Sequence, residues 1–466
     1  MPEIGRLCSA TDAIEDPGDL LALARACPDT PLFYWEHPAR GHALLGLGIV
    51  RELRASGPDR FAAVSDAAER MLATVESADA DRSGLRVVGG FGFSEQGPAG
   101  ALWRDFPAAR FVLPRVLWLG ERGHWRLTRV WDEGAEDAGE ALLARVHRDR
   151  TLAEGDGPRL HAPVLTPEER SRWRTRVDDA RALIANGGLR KVVLARQRRL
   201  HAASALEPAT ILARARATRP TCFSFWVRAR SGVSLIGSTP ELLVRRTGMR
   251  VEASALAGSA PRAADATADR RHGAELLACP KNAREHAIVV AAVRAALASV
   301  ADEIATPAEP ELRLLPEAHH LSTLVTGRLR VAESVLRVGS VLHPTPAVCG
   351  APRDAARALI ERDEPDRGWY TGAVGWMDHA GDGELAVALR SALVAGDQLT
   401  LWAGAGIVEG SDADAELAET EAKMGALVAP FLEPPLAVGE GARRAATGTT
   451  TRAAGTSYAI DRPRQP

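Results

Sequence analysis

The chain has 466 residues, of which 46% are hydrophobic and 25% are charged, a composition typical of a globular protein with one large core or about two to three smaller ones. Its 58 Lys and Arg residues nearly balance its 60 Asp and Glu residues, and the formal charge of −2 argues against a general nucleic-acid binder. No stretch approaches the roughly 18 consecutive apolar residues that a membrane span needs, and the first residues are unlike a signal peptide. We therefore expect a cytoplasmic protein that binds neither nucleic acid nor membrane. A monomer is the default expectation, because no heptad seam is evident.

Five cysteines are scattered without the Cys-x-x-Cys spacing of zinc sites and without the pattern of a disulfide framework. We expect them to be reduced, and we favour buried structural thiols over a catalytic cysteine. The five are Cys8, Cys27, Cys222, Cys279 and Cys349.

Residues 1–160 carry few chemical groups at suggestive spacing. The glycine-rich stretch 89–93 is expected to allow tight packing of a sheet rather than to bind phosphate. Residues 145–163, rich in charge, Gly and Pro, are typical of a linker or a loop between lobes. At the other end, residues 433–466 are rich in Gly, Thr, Ala, Arg and Pro and predict a disordered tail.

A helix is predicted to begin after Thr166, which is a good N-cap residue. Pro167 suits the first helical position, and Glu169 completes a capping box. Apolar residues follow at helical spacing over 173–184. Asn and two glycines at 186–188 are expected to end the helix.

The β-rich run that follows begins with Lys191, which shares a face with Val193 and Ala195. One interpretation is a lysine on an edge strand, placed to discourage aggregation. If the face is interior instead, desolvation of the ammonium makes Lys191 a candidate general base.

Glu241 follows a hydrophobic strand over 233–237 and comes directly after Pro240, which ends ladder pairing. Apolar residues come next, so a carboxyl group here has a raised pKa and can deliver a proton near neutral pH. The alternative is an ordinary turn glutamate.

Glu285 lies on a predicted helix three and four residues before Ile288 and Val289, in line with the stripe that is expected to be buried. A carboxylate there needs a partner, and a hard cation shared with Glu416 or Glu419 would supply one. Oxygen ligands without a cluster of soft ligands favour Mg²⁺ over zinc. His286, about a quarter-turn further round the same helix, is interpreted as structural.

Other polar residues stand in apolar stretches. Arg390 is predicted to lie in a strand, at the end of a run of small and aliphatic residues after a hairpin turn at 381–383, and a bidentate substrate carboxylate is its natural partner. The hydroxyl of Ser259 could contact a ligand from a small-residue turn. His320 and His343 are more often satisfied polar groups than catalysts, with His320 the better candidate for a substrate contact.

The last acidic stretch begins with two glycines one residue apart, at 404 and 406, after a strand-like run. Their backbone N–H groups could form a small anion-binding concavity. The helix that should follow carries Glu416, Glu419 and Lys423 near one face, beside an apolar stripe. Taken alone, this pattern equally fits a solvated helix face with an i,i+4 ion pair.

Several of these stretches resemble one family, the chorismate-utilising enzymes, and specifically the isochorismate synthases. They occur in the family's order between about residues 165 and 432. The stretches are 191–196 (KVVLAR), 238–243 (STPELL), 256–259 (LAGS), 285–286 (EH), 343–350 (HPTPAVCG), 369–376 (WYTGAVGW) and 404–408 (GAGIV), with Glu416, Glu419 and Lys423.

The resemblance implies an α+β fold of two large antiparallel β-sheets packed face to face with helices outside. Residues 1–160 would form the N-terminal part of this fold and residues 161–432 the catalytic region. The resemblance further implies that Mg²⁺ anchors the ring carboxylate of chorismate, held by residues like Glu285 and Glu419, with Glu416 near the metal or its waters.

The resemblance also implies a set of substrate contacts, most of them to carboxylates of chorismate. To these we add His320 from the reasoning above. The implied contacts are Gly258, Ser259, Thr345, Tyr370, Arg390, Gly404, Ala405, Gly406 and Lys423.

In the implied reaction, Lys191 takes a proton from water as the water attacks C2 of the ring, and Glu241 protonates the departing C4 hydroxyl on the far side. Anthranilate synthases usually carry glutamine where Lys191 stands, and aminodeoxychorismate synthases carry a lysine where Ala257 stands. The pair Lys191 and Ala257 therefore indicates water as the nucleophile, and isochorismate as the product. One departure is Asn282, which stands where many relatives have an acidic residue and puts the outer metal shell in doubt.

Two alternatives remain. A salicylate synthase would match at Lys191 and Glu241 as well, and would continue by eliminating pyruvate from isochorismate. A non-catalytic chorismate-binding subunit would be expected to have lost the acid or the base, and both are present.

Overall fold

The computed structural model describes residues 6–77, 82–148 and 157–432. The predicted disordered tail at 433–466 therefore lies outside the described residues. Within the described ranges the chain forms 21 β-strands and ten α-helices, and no helix among them is long and apolar enough to cross a membrane.

The strands are β1 (Leu7–Ile14), β2 (Leu32–His37), β3 (His42–Ala55), β4 (Val75–Ser77), β5 (Arg86–Phe91), β6 (Ala109–Glu121), β7 (His124–Asp132), β8 (Leu160–His161), β9 (Lys191–Ala202), β10 (Phe223–Arg230), β11 (Val233–Thr239), β12 (Leu242–Thr247), β13 (Arg250–Pro261), β14 (Ala301–Ala305), β15 (Glu311–Leu314), β16 (Ala318–Leu329), β17 (Gly350–Ala351), β18 (Ala373–Asp378), β19 (Gly383–Val387), β20 (Ser391–Ala395) and β21 (Gln398–Ile407). The helices are α1 (Leu20–Arg25), α2 (Arg60–Ala73), α3 (Ala138–Arg148), α4 (Pro167–Ala185), α5 (Pro208–Thr218), α6 (Ala266–Ala278), α7 (Pro280–Ala298), α8 (Val335–Leu342), α9 (Arg353–Asp363) and α10 (Ala413–Val428).

Hydrogen bonding connects all 21 described strands into one continuous network, which forms two layers, the first and the second sheet, that share one pair of long strands. The first sheet runs β8-β9-β21-β20-β11-β10-β2-β3-β6-β7-β1-β4, and the second runs β3-β6-β5-β18-β19-β12-β13-β16 with β14 and β15 at its end. The short strand β17 pairs with β9 at the edge of the first sheet. All named pairs are antiparallel except β1 with β4. Strands from the first 160 residues thus pair with strands of the remainder, as in β2 with β10 and β5 with β18.

Strands β3 and β6 pass from one sheet to the other. The pairing of β3 with β6 shifts register between Ile49 and Arg51. Pro114 of β6 lies opposite Ile49 and has no N–H group to donate, so it interrupts the hydrogen bonds between the two strands. On one side of the shift β3 also pairs with β2, and on the other side β6 also pairs with β5. The bulge lets two strands serve both layers.

Aromatic and aliphatic side chains from both sheets form one buried core between them. It contains Trp35 of β2 and Phe225 of β10 from the first sheet, and Val374 of β18 and Ala386 of β19 from the second. Helices α2, α7 and α8 pack on the outer face of the second sheet. Helices α1, α3, α5 and α10 pack on the outer face of the first. The predicted α+β fold of two face-to-face antiparallel sheets with outer helices is confirmed.

Local predictions can be compared directly with the structure. Helix α4 begins after Thr166 with the predicted capping box to Glu169, and it ends at Asn186. A side chain on Gly89 would meet the backbone of the neighbouring strand at 2.0 Å, so the glycine-rich stretch does permit close packing in a sheet. The predicted linker over 145–163 is wrong at its start, because α3 continues to Arg148.

Candidate active site

A cavity of about 480 Å³ opens where β9, β13 and β21 meet α7 and α10, a volume in the range of small-molecule sites. All but two of the predicted site residues line it. Those that do are Lys191, Glu241, Gly258, Ser259, Glu285, His320, Tyr370, Arg390, Gly404, Gly406, Glu416, Glu419 and Lys423.

Lys191 begins β9, a strand that pairs with β21 along its length and with β17 at its start. Its side chain is 1% exposed, and Nζ lies 2.9 Å from Oε1 of Glu285. The edge-strand interpretation of this lysine is therefore wrong. The ammonium lies inside the protein, facing the cavity.

Glu241 lies in the short break between β11 and β12 and is 2% exposed. Burial raises the pKa of its carboxyl group to about 8, although the positive charges of Lys191 and Arg390 act in the opposite direction. The group is thus protonated at neutral pH and can donate a proton into the cavity. This is the environment that the apolar flanks predicted, and the turn-glutamate alternative is wrong.

Three carboxylates in the cavity each pair with a lysine. Glu285 pairs with Lys191, as described above. Glu416 accepts a hydrogen bond from Lys281 at 2.9 Å. Glu419 lies 2.5 Å from Nζ of Lys423 and accepts a hydrogen bond of 2.8 Å from the hydroxyl of Ser259. The solvated-face interpretation of this part of α10 is wrong, because Glu416 is buried and all three carboxylates face one enclosed space.

The two glutamates of α10 differ in their electrostatic surroundings. Burial raises the pKa of Glu416, and the negative charge of Glu419 raises it further. Burial also acts to raise the pKa of Glu419, but Lys423 and Ser259 outweigh it and bring the pKa to about 2. The mutual repulsion of two carboxylates is a strain that a shared cation relieves.

Lys281 is missing from the sequence-based site, although the sequence carries a signal for it. The chain has 55 arginines but only three lysines, Lys191, Lys281 and Lys423. All three line the cavity. Because arginine serves as the basic residue everywhere else, these lysines indicate positions where a compact ammonium is required.

Arg390 does not lie in a strand, as its apolar neighbours suggested, but follows β19 with a left-handed φ of 47°. Its Nη2 lies 3.1 Å from Nε2 of His320. A guanidinium only donates, so this imidazole nitrogen accepts and the ring is neutral. Consistently, burial and then the charge of Arg390 lower the pKa of His320 to about 3.

Glu317 is a second lining residue that the sequence reasoning missed. One of its oxygens lies 3.3 Å from Nε of Arg390 and the other lies 3.3 Å from Nε of Arg219. No local pattern marks this residue, because both partners are more than 70 residues away.

Gly404 and Gly406 lie within β21 rather than in a turn after it. The carbonyl of Gly404 accepts a hydrogen bond of 2.9 Å from Lys423. Opposite Gly406, the amide of Val193 bonds to Cys349 instead of to β21. The backbone N–H and C=O groups of the two glycines therefore point away from β9. The N–H groups that were predicted to bind an anion thus point away from the hydrogen bonds that join β9 and β21.

The absence of a side chain at Gly406 leaves room for Glu285 and Lys191 in their present positions. A Cβ there would lie 2.4 Å from Oε1 of Glu285 and 3.1 Å from Cε of Lys191. Gly258 has a different reason. It has a φ of 80° at a bulge in β13, and this bulge precedes Ser259, whose hydroxyl bonds to Glu419.

Two predicted contacts do not reach the cavity, and we remove them. Side chains alternate along a strand, so Ala405 lies on the face of β21 opposite to the cavity, where it packs against Leu194. Its backbone groups face β9. Thr345 is buried outside the cavity lining, whereas its neighbours Ala347 and Val348 line it.

The remaining histidines of interest are structural. His286 bonds to the carbonyl of Ala257 at 3.2 Å and to the hydroxyl of Thr323 at 2.7 Å. These contacts agree with its interpretation as a structural residue. His343 is buried outside the lining and bonds to the carbonyl of Thr371 at 3.1 Å.

Glu285, Glu416 and Glu419 offer oxygen donors, the ligand type that Mg²⁺ takes. As they stand, no three acidic, His or Cys side chains in the described residues are placed to hold a metal ion, because each of these carboxylates is turned to a lysine. Asn282 lines the same space with a neutral amide. The donor set fits Mg²⁺ chemically, and binding requires the carboxylates to turn from their ammonium partners.

Comparison with known proteins identifies the family of this chain. Residues 3–431 match the family of chorismate binding enzymes. The chain belongs to the chorismate binding enzyme family. Among its relatives are the salicylate biosynthesis isochorismate synthase of Pseudomonas aeruginosa, 35% identical over 88% of this chain and 87% of the relative, and the isochorismate synthase MenF of Bacillus subtilis, 32% identical over 84% and 86%.

A solved structure of a chorismate binding enzyme gives the same fold. The menaquinone-specific isochorismate synthase MenF of Escherichia coli superposes with a TM-score of 0.77 at 27% identity, covering 92% of this chain and 95% of that protein. The agreement extends over both sheets, because the alignment includes nearly the whole chain.

Replacing Gly406 with alanine tests the crowding at the cavity floor. The added Cβ is expected to displace Glu285 and Lys191, and we expect Gly406→Ala to weaken chorismate binding by about tenfold or more, measured by isothermal titration calorimetry. Gly425→Ala is the matched control, because a Cβ at this position of α10 meets no described atom within 4 Å. Equal affinity in the two variants would contradict the packing described here.

Proposed function

We propose that the protein is an isochorismate synthase, an isomerase that converts chorismate to isochorismate. The observation that carries the proposal is that Lys191 and Glu241, both almost fully buried, line one cavity with three carboxylates. The family match and the activities named for its relatives point the same way.

Lys191 is proposed as the general base. Its ammonium must first give up a proton, and the resulting amine takes a proton from a water molecule while the water oxygen forms a bond to C2 of the ring. The C1=C2 and C5=C6 double bonds of the ring shift to C1=C6 and C4=C5. Its present partner, Glu285, is one of the proposed metal ligands, so a turn of Glu285 towards a cation leaves the lysine free to meet the water.

Glu241 is proposed as the general acid. Its protonated carboxyl group gives a proton to the C4 hydroxyl, which leaves as water as the C4–O bond breaks. One water is added and one is lost, so the product is an isomer of the substrate. The burial that raises the pKa of Glu241 keeps the required proton in place at neutral pH.

The substrate carboxylates are proposed to bind Arg390 and Lys423, which both line the cavity. Tyr370 lines it as well and stacks on Trp402 with ring centroids 6.2 Å apart. Glu285 and Glu419, with Glu416 beside them, would hold Mg²⁺. When bound, Mg²⁺ neutralises and anchors the ring carboxylate.

Water rather than ammonia is the proposed nucleophile. Lys191 replaces the glutamine usual in anthranilate synthases, and Ala257 lines the cavity where aminodeoxychorismate synthases have a lysine. A neutral methyl group at 257 leaves no amine to attack the ring.

We further propose that the isochorismate supplies biosynthesis of an aryl siderophore, through 2,3-dihydroxybenzoate or salicylate. The loop 343–350 and the stretch 369–376 resemble the siderophore-type synthases, and the Pseudomonas aeruginosa relative is named for salicylate biosynthesis.

The activity is tested by incubating the purified protein with chorismate and Mg²⁺ and separating the products by chromatography. We expect isochorismate alone, from wild type but not from Lys191→Ala or Glu241→Gln, with rates at least about a thousandfold lower in the variants. Wild type and Glu241→Gln should unfold at similar temperatures, because glutamine keeps the shape of the side chain. Lys191→Ala should unfold at a lower temperature, because Glu285 loses its partner. Salicylate with pyruvate would instead indicate a salicylate synthase, and unchanged chorismate a binding subunit.

The pH dependence tests the role of Glu241 separately. An acid catalyst with a pKa of about 8 works only while protonated, so kcat/KM should fall about tenfold per pH unit above pH 8. The carboxyl groups of chorismate are already ionised throughout this range and do not contribute. A flat profile to pH 9.5 would show that Glu241 is not the proton donor.

A further inference from the structure

Lys281 is the cavity lysine that pairs with Glu416. It lies in the first turn of α7, and its Nζ is 2.9 Å from Oε1 of Glu416. Glu285 and Glu419 line the same cavity, and their charges also act on this ammonium. Lys281 thus contacts one proposed metal ligand directly and lies in the cavity that holds the other two.

The three cavity lysines differ in how firmly they are held. Lys191 is 1% exposed. Lys423 is 17% exposed and is held by both Glu419 and the carbonyl of Gly404. The side chain of Lys281 is 35% exposed. Lys281 is therefore the ammonium that can swing into water at the smallest cost in lost contacts and desolvation.

Shape as well as charge suits Lys281 to this position. An ammonium is a compact charge with three donors on a flexible stem, whereas a guanidinium is a planar fork suited to one carboxylate. A compact ammonium is closer in shape to a small metal ion than a planar guanidinium is. This explains a lysine here in a chain that otherwise uses arginine.

We propose that Lys281 is a resident counter-ion of the carboxylate cluster and competes with Mg²⁺ for Glu416. It neutralises Glu416 while no divalent ion is bound, and it swings out when Mg²⁺ enters. The inference rests on the proposed Mg²⁺ site. It explains in part why the carboxylates do not form a ready coordination shell, because Glu416 is turned to this ammonium.

Direct metal binding separates this role from a contact to substrate. Wild type, Lys281→Met and Lys281→Gln are stripped with EDTA, dialysed, and titrated with MgCl₂ by calorimetry without chorismate. Removing one competing unit charge from a partly exposed cluster should tighten Mg²⁺ binding by about tenfold or more. In EDTA the two variants should unfold at a lower temperature than wild type, because Glu416 loses its partner.

The matched control is Arg174→Met. Arg174 pairs with Asp414 in the first turn of α10, on the surface, with side chains 54% and 62% exposed. The Arg174→Met substitution removes one positive charge near α10 but outside the cavity, so the affinity for Mg²⁺ should be unchanged.

The outcomes are distinct. Tighter binding in both Lys281 variants, with Arg174→Met like wild type, supports the proposal, as does Mg²⁺ binding that is measurable only in the Lys281 variants. Equal or weaker Mg²⁺ binding in the Lys281 variants overturns it, and a rise in KM for chorismate alone would then assign Lys281 to the substrate. If no protein binds Mg²⁺, the metal site itself is wrong and the inference falls with it, whereas the product assay still decides the isomerase activity.

Discussion

The ion pair between Lys191 and Glu285 is the contact around which the site is arranged. It joins the first strand after α4 to the first turns of α7, across the backbone at Gly406, where an added Cβ would displace the two side chains. The pairing of β9 with β21 sets this geometry, because it places Gly406 opposite Val193 and so beneath the two side chains. The same register directs the backbone of Gly404 to Lys423, which fixes the next acidic partner.

The two proposed catalytic groups are both buried, but they differ in their partners. Glu241 has no cationic partner in hydrogen-bonding contact among the described residues, and desolvation keeps its proton on. Lys191 is equally buried but bonded to a carboxylate. The three carboxylates are each balanced by one ammonium, so the cavity holds many charges without an uncompensated one. Such a balance is expected where charges are removed from water.

Much of this arrangement is visible in the sequence. The capping box at Thr166, the apolar flanks of Glu241 and the position of Glu285 on its helix are local patterns, and the structure agrees with each. Family motifs supplied the two-sheet fold, which local periodicity alone does not specify. The misses have a physical cause: Lys281 meets Glu416 across 135 residues, and Glu317 meets Arg390 across 73. Ala405 was misplaced because a strand, not a turn, carries it, and alternation turns it from the cavity.

The central claim is that Lys191 and Glu241 face opposite sides of one bound ring. A crystal structure of Glu241→Gln with Mg²⁺ and chorismate tests it most directly, because the variant keeps the shape of the acid and cannot turn over. The account predicts the amide of residue 241 within hydrogen-bonding distance of the C4 hydroxyl, and Nζ of Lys191 facing C2 from the other side. A ring bound with both groups on one face, or with C4 turned away from residue 241, would contradict it.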